Sequence, residues 1–458
     1  MQSKRLSVIE KVGFGAGDMS INVMVAALFF LINKYYTDVF GLDPVDMGIL
    51  FLVARFVDAF TDPMMGLITD RFKWKSGRFR PYFAYLAIPY GVSMVLLFST
   101  PDMEYGGKLV WAYATYLAAT LMFTGVAIPY ISYISVLTTD PQEKLSANGY
   151  RMFFAKIANV VIVGSVPVLA TKWGSDEKMG YTLAMGLMSA VGVLLMWFCC
   201  GATRERIEHK VNPQPFFSQL GVLFRNDQWL VLAGCCLLGT LGYVIRGGTA
   251  LYYGEYYLGG SKAMASSFVS AGIAATVVAM VASTWITKRY CKVKLFRWSQ
   301  IAVGILSLAM FFLVKPGDIA LAFVLYIILN FVVDLHAPVF WSSIAEAVDY
   351  GHDKSKKRVS GISFGLISFC QKAGGGLAGL LSGLLLAYFG YVANQVQTET
   401  AMMGIALMLT IIPGLFHAAL GFLMFRYKIT DKYYQKMVSE SDVLGVDDVP
   451  SKKSLHTV

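Results

Sequence analysis

The chain has 458 residues, of which 56% are hydrophobic and 15% charged, and its net charge is +10. Soluble domains carry about 25% charged residues and do not repeat apolar runs of about twenty, so this composition counts against a water-soluble protein. The basic excess lies in short loops between apolar runs, which counts against a nucleic-acid-binding surface and for a lipid bilayer as the surroundings.

Twelve apolar runs follow one another, roughly at 16–36, 47–69, 82–100, 109–136, 148–170, 180–201, 229–253, 264–287, 295–314, 318–346, 360–390 and 401–425. The expected fold class is an all-α membrane protein with twelve transmembrane helices in two six-helix bundles. Residues 1–201 would form the N-terminal bundle, 202–228 a linker, 229–426 the C-terminal bundle and 427–458 a polar tail. Met1 to Lys11 offers no small-residue cleavage site, and the run that follows is too long for a signal-peptide core, so no cleaved leader is expected. The loops RFKWKSGRFR (71–80), TRERIEHK (203–210), TKRYCKVK (287–294) and DKSKKR (353–358) are basic. Those at 37–46, 99–108 and 317–320, on the alternate side, are neutral or acidic. By the positive-inside rule, both termini and the linker face the cytoplasm of a multi-pass bacterial inner-membrane protein, and the tail is a cytoplasmic extension.

The second run contains Arg55, Asp58 and Asp62 within ARFVDAFTDPMMG (54–66). The two aspartates are four apart and Arg55 lies one turn earlier, so all three share a helical face. A charge at the bilayer centre costs about 2.5–3.5 kcal/mol on insertion scales, so three in one helix need a function or partners. One arginine against two aspartates leaves one negative charge, which a monovalent cation, sodium or a proton, would neutralise. A structural triad is the other reading. Arg246 sits within the seventh run beside Gly247 and Gly248, and either pairs with Asp334 or Glu255 or receives an anionic substrate group. Asp334 and His336 interrupt the tenth run just before Pro338, where a break is expected, and either serve substrate and coupling or simply pack. Trp341 is the leading candidate for stacking on a sugar ring, with Tyr130, Tyr133, Tyr252 and Phe364 behind it. The six cysteines lack metal-ligand or CxxC spacing and read as packing residues. The glycines of KAGGGLAG (372–379) follow no strand, so they serve helix packing rather than a nucleotide. No HExxH or paired-His site is visible, so neither an enzyme nor a cofactor is expected.

The segment GLITDRFKWKSGRFR (66–80), between the second and third runs, resembles the loop found there in the major facilitator superfamily. Five further features resemble the glycoside–pentoside–hexuronide cation symporters, the group of melibiose permease. They are GFGAGD (13–18), YYTDVFG (35–41), ARFVDAFTDPMMG (54–66), IPYISY (128–133) with DPQEKLSANGYR (140–151), and VDYG (348–351) with QKAGGG (371–376). The resemblance implies the major facilitator fold, a substrate site between the halves, and cation binding by Asp58 and Asp62, with Thr61 and Thr124 as further oxygen ligands. It also implies that Arg151 and Lys372 hold sugar hydroxyls. The family's acidic first-helix position aligns with Asn22, one turn beyond Asp18 of the general GxGD signature. Its fourth-helix Asp and neighbouring Trp are replaced by Ala127 and Ile131. Two acceptor carboxylates are gone while both cations remain, which argues against a simple galactoside. Arg246, Arg151 and Lys372 together would suit a glycoside with a negative group, such as a uronide. Asp70, Arg71, Arg78 and Arg80 would form a cytoplasmic latch with Asp349 and Arg358. The expected activity is import of a small glycoside with a monovalent cation, sodium favoured, by alternating access, a monomer sufficing. The alternatives are a proton-coupled carrier of neutral oligosaccharides or pentosides, a non-transporting sugar sensor, and a lipid carrier.

Overall fold

Within lipid every backbone N–H and C=O must be satisfied inside the protein, which makes helices the available form for twenty-residue apolar runs. The computed structural model describes residues 5–443, apart from 73, 75–76, 139–140, 208–215 and 356–359. Its twelve helical spans are span 1, Val8–Phe40; span 2, Pro44–Arg71; span 3, Arg80–Leu97; span 4, Tyr105–Leu137; span 5, Pro141–Lys172; and span 6, Glu177–Ala202; then span 7, Asp227–Tyr257; span 8, Lys262–Ile286; span 9, Lys292–Leu313; span 10, Ile319–Ser355; span 11, Ser360–Tyr388; and span 12, Glu399–Leu409 continued by Ile411–Leu423. Two further helices, Phe216–Phe224 and Asp431–Val443, follow spans 6 and 12. Among the described residues nine spans are apolar enough to cross a membrane by composition alone, and span 2, interrupted by Arg55, Asp58 and Asp62, is not one of them. The helices outrun the predicted apolar stretches. Span 1 starts at Val8 because Ser7 and Glu10 close a capping box there, whereas hydropathy marks only the hydrocarbon zone.

Spans 1–6 and 7–12 form two bundles that meet along span 2 against span 11 and span 5 against span 8. The first contact is close because it is lined by glycine. A Cβ on Gly383 would lie 2.1 Å from the Pro44 carbonyl oxygen, and one on Gly376, within KAGGGLAG, 2.2 Å from Arg55 Cγ.

Two spans break at prolines, and the freed carbonyls find partners on neighbouring helices. Span 10 turns at Leu335–His336 ahead of Pro338; Ser283 of span 8 donates to the Leu335 carbonyl at 2.6 Å, and Gln300 of span 9 to that of Val333 at 3.1 Å. Span 12 breaks at Thr410, where Pro413 has no N–H to offer the Leu409 carbonyl; Arg246 Nε takes that carbonyl at 3.1 Å.

Twelve crossings put both chain ends on one face, the terminal face, and the loops after spans 1, 7 and 11 on the distal face. There, spans 1 and 7 both finish in wide π-helical turns, Tyr35–Phe40 and Tyr253–Tyr257, and their ends meet. Asp38 accepts from Tyr256 Oη at 2.5 Å, from Lys34 Nζ at 2.6 Å and from Tyr391 Oη. Lys34 also reaches Glu255 at 3.1 Å, and Asn394 Nδ2 donates to the Asp38 carbonyl at 2.5 Å. Glu177 and Lys262 add a second tie between the halves. On the terminal face the bonds Glu10–Arg206 and Lys292–Glu346 each stay within one half. Among the described residues the ties across the halves at Asp38 and Glu177 hold the distal face closed. Asp38→Asn should release it, because hydrogen bonds to a charged group contribute about 1.5–3 kcal/mol and the open population should rise roughly tenfold or more. The readout is labelling of a cysteine placed at the buried Ala250 by an impermeant maleimide; a rate equal to that in the Asp38 parent would contradict the assignment.

Candidate functional site

Midway along span 2, the three charges find partners on other spans. Arg55 donates to Asp58 Oδ2 at 2.7 Å and to Tyr116 of span 4 at 3.3 Å. Thr124 of span 4 donates to Asp62 Oδ1 at 2.7 Å, and Lys372 of span 11 pairs with Asp62 Oδ2. The Lys372 ammonium also lies 5.6 Å from the Phe123 ring. Asp58, Asp62, Thr124 and Lys372 are thus brought together from both halves. Span 2 alone carries one unbalanced negative charge, but Lys372 supplies a second cation, so the cluster is neutral as it stands. Two oxygens remain open: Asp58 Oδ1 and Thr61 Oγ1 are buried without a hydrogen-bond partner. A buried, unpaired carboxylate oxygen beside a hydroxyl is what a hard monovalent cation binds.

The predicted sugar residues divide into three groups. Arg151 Nε faces Asp18 Oδ2 at 4.0 Å, too long for a hydrogen bond, and Nε is buried without a partner. A hydroxyl between them would satisfy both groups. Asn22 is less available, since its amide donates to the Asp18 carbonyl at 2.9 Å. Tyr130 corrects the sequence expectation. It is fully buried, its ring stacks on Phe14 at 5.0 Å, its hydroxyl donates to the Phe14 carbonyl, and it packs where a Cβ on Gly17 would lie. No ring face is left for a sugar. Tyr133 is likewise buried, against Phe83 at 5.1 Å, with its hydroxyl on Thr203. Trp341 stays part-exposed beside Phe340 just past the break in span 10.

Lys156 of span 5 pairs with Asp334 across the halves at 2.8 Å. His336 Nδ1 lies 3.0 Å from Gln300 Nε2, and Gln300 Oε1 lies 2.8 Å from His417 Nδ1, so these three side chains form a buried chain behind the break. Arg246 pairs with neither Asp334 nor Glu255. It donates to the Leu409 carbonyl and, at 2.9 Å, to Ser307 Oγ, and no carboxylate among the described residues meets it. Lys156, Gln300 and His417 were not singled out from the sequence. Lys156 carried the same signal as Arg246, a cation inside an apolar run, whereas Gln300 and His417 gain meaning only from being adjacent.

Of the latch residues, the side chains of Asp70 and Arg71, and Arg358 altogether, lie outside the described residues. Glu205 accepts from the backbone N–H groups of Arg78, Phe79 and Arg80 at 2.7, 2.8 and 3.0 Å, and Arg78 Nε donates to the Thr69 carbonyl. Gly77, at φ 132°, is needed there because a Cβ would lie 2.6 Å from the Glu205 carboxylate. Asp349 accepts from Tyr434 of the helix Asp431–Val443, within its own half.

Residues 13–431 match the family model described as MFS/sugar transport protein. The chain belongs to that family. It is 35% identical over 431 residues, 93% of each chain, to YagG of Escherichia coli (strain K12), assigned provisionally as a glycoside/cation symporter. It is 28% identical to a glucuronide carrier protein homolog of the same organism, covering 96% of each chain. A crystal structure of a D-xylose-proton symporter superposes with a TM-score of 0.67 at 11% identity, over 91% of this chain and 97% of that one, which shows the shared fold. The protein is a multi-pass membrane transporter of the major facilitator fold, not an enzyme.

Lys372→Gln should leave Asp62 with an unbalanced charge and lower stability by on the order of 2–3 kcal/mol, the lower end for buried pairs because about a fifth of each side chain stays exposed. Adding Asp62→Asn should recover most of that loss in thermal unfolding of the purified protein. No recovery in the double variant would show that the two side chains do not interact.

Proposed function

We propose that the protein is a symporter that imports a glycoside together with a monovalent cation, sodium in preference to a proton, by alternating access. The observation that carries this reading is the cluster of Arg55, Asp58, Asp62, Thr124 and Lys372, contributed by both halves and neutral only because Lys372 occupies Asp62 while Arg55 balances Asp58. A sodium ion entering at Asp58 Oδ1, Thr61 Oγ1 and Asp62 brings the charge that Lys372 now supplies, and frees that ammonium to bind sugar. The sugar lies between Asp18, Arg151 and the released Lys372. Cation and sugar then strengthen each other's binding by the same factor. The basic loops of the terminal face favour the cytoplasm for it, and on that orientation the closed distal face is the outer one and the state is inward-facing. Two features favour a glycoside with a negative group: Arg246 meets no carboxylate among the described residues, and a relative over 96% of the chain is named as a glucuronide carrier homolog.

The test is uptake of a panel of neutral and uronic glycosides into proteoliposomes under an imposed sodium gradient or proton gradient. Sodium-stimulated uptake that Asp58→Asn loses, by tenfold or more given about 1.5–3 kcal/mol per charged hydrogen-bonding contact, is the expected result. Uptake driven by the proton gradient and indifferent to sodium would move the coupling to protons. Uptake by Asp58→Asn that still follows the sodium gradient would remove the cluster from the mechanism. Sodium binding is also expected to raise the melting temperature of the wild type and not of Asp58→Asn, by linkage.

A further inference from the structure

Arg246 and the Lys156–Asp334 pair approach one cavity, the pair by way of Tyr243 and Val333. Arg246 lines a cavity together with Phe30, Tyr243, Thr276, Tyr326 and Asn330, and Val333, next to Asp334, closes one side of it. The Tyr243 hydroxyl lies within electrostatic reach of both Lys156 and Asp334. Two donors of Arg246 are fixed, Nε on the Leu409 carbonyl and Nη2 on Ser307, so the guanidinium is held in one orientation, and no hydrogen-bond partner of Nη1 occurs among the described residues. Among the cavity's described lining residues Arg246 is the charged one, and the Lys156–Asp334 pair next to it is neutral in itself, which leaves an excess of one positive charge. An unbalanced buried cation is costly unless an anion visits it. Arg55, Arg151 and Lys372 also lie near the midplane, and each already faces a carboxylate.

Resting on the glycoside-symport reading above, we propose that Arg246 and Lys156 receive the negative group of an anionic glycoside, and that Asp334 holds Lys156 in the empty carrier until that group displaces it. A carboxylate entering beside Tyr243 meets Nη1 of Arg246 directly and competes with Asp334 for the Lys156 ammonium. Asp334 leaves towards the open turn at Leu335–His336, where Pro338 lacks the N–H that would bond the Asp334 carbonyl and the backbone can shift. Lys156 belongs to span 5 and Asp334 to span 10, so the exchange replaces a bond between the halves by one through the substrate. A neutral glycoside cannot make the exchange. The site therefore sets specificity by charge, apart from the hydroxyl contacts at Asp18 and Arg151.

The test compares methyl β-D-glucuronide with methyl β-D-glucoside in the full-length protein, using uptake for KM and thermal shift for binding. Lys156→Gln and Arg246→Gln should each raise the ratio of glucuronide KM to glucoside KM about tenfold or more. Asp334→Asn, which removes the competitor, should lower the glucuronide KM several-fold, a gain that misfolding does not produce. Equal losses for both glycosides in all three variants, with no gain in Asp334→Asn, would make the pair a structural strut and overturn the proposal. A wild type that carries the glucoside and rejects the glucuronide overturns it too, while leaving glycoside symport standing. A wild type that carries neither glycoside under any cation gradient overturns both.

Discussion

The constraint on which this structure depends is that a charge held at bilayer depth must be answered by another group at the same depth. One uncompensated charge there costs as much as several good packing contacts contribute. Span 2 cannot meet that requirement from its own residues, since Arg55 balances Asp58 and leaves Asp62 over. The answer arrives from span 11 as Lys372, and from span 4 as the Thr124 hydroxyl. The same rule joins Lys156 of span 5 to Asp334 of span 10. The Asp62–Lys372 pair lies along the contact of span 2 with span 11, so electrostatics and glycine-lined packing select the same interface there, while Lys156–Asp334 ties span 5 to span 10, which packs on span 8.

Backbone polarity obeys the rule in parallel. Where Pro413 removes the N–H that would have met the Leu409 carbonyl, a guanidinium from span 7 fills the gap. Where Pro338 opens span 10, a serine and a glutamine from adjacent helices meet the exposed carbonyls. Arg246 therefore has a structural duty and a residual one. The structural duty fixes its orientation, and the residual one follows because a guanidinium has five donors and two groups on the protein occupy only part of them.

Twelve spans, their order and the break at Pro338 were legible in the sequence because hydropathy over twenty residues and the missing proline N–H are local properties. Asp58 and Asp62 stood out for a related reason, since two carboxylates four apart in an apolar run have few innocent explanations, whereas Thr124 came only from the family resemblance. What could not be read was the charge balance. Counting span 2 alone gave one negative charge, and only the three-dimensional arrangement adds Lys372 and cancels it. Tyr130 was misjudged because an aromatic ring at helical spacing reads the same whether it faces a cavity or the neighbouring helix. Here Gly17 leaves a notch that the ring fills. YYTDVFG carried no assigned role, yet its aspartate holds the distal face closed, because its partners Tyr256, Tyr391 and Asn394 lie more than two hundred residues away in the chain.

On the proposed reading, the neutrality of the empty cluster does more than stabilise it. A carrier that must reorient both full and empty has to hide its charges in both states, and Lys372 on Asp62 does this when no ion is present. A sodium ion alone would displace Lys372 and leave an ammonium unpaired at the interface between the halves. That half-loaded state is the one whose movement would leak sodium without cargo, and an unpaired ammonium at that depth makes it the costly one. Sugar hydroxyls, placed between Arg151, Asp18 and the released lysine, relieve the cost. Coupling then needs no dedicated lock. It follows from the same accounting of charge at depth that brings span 11 against span 2.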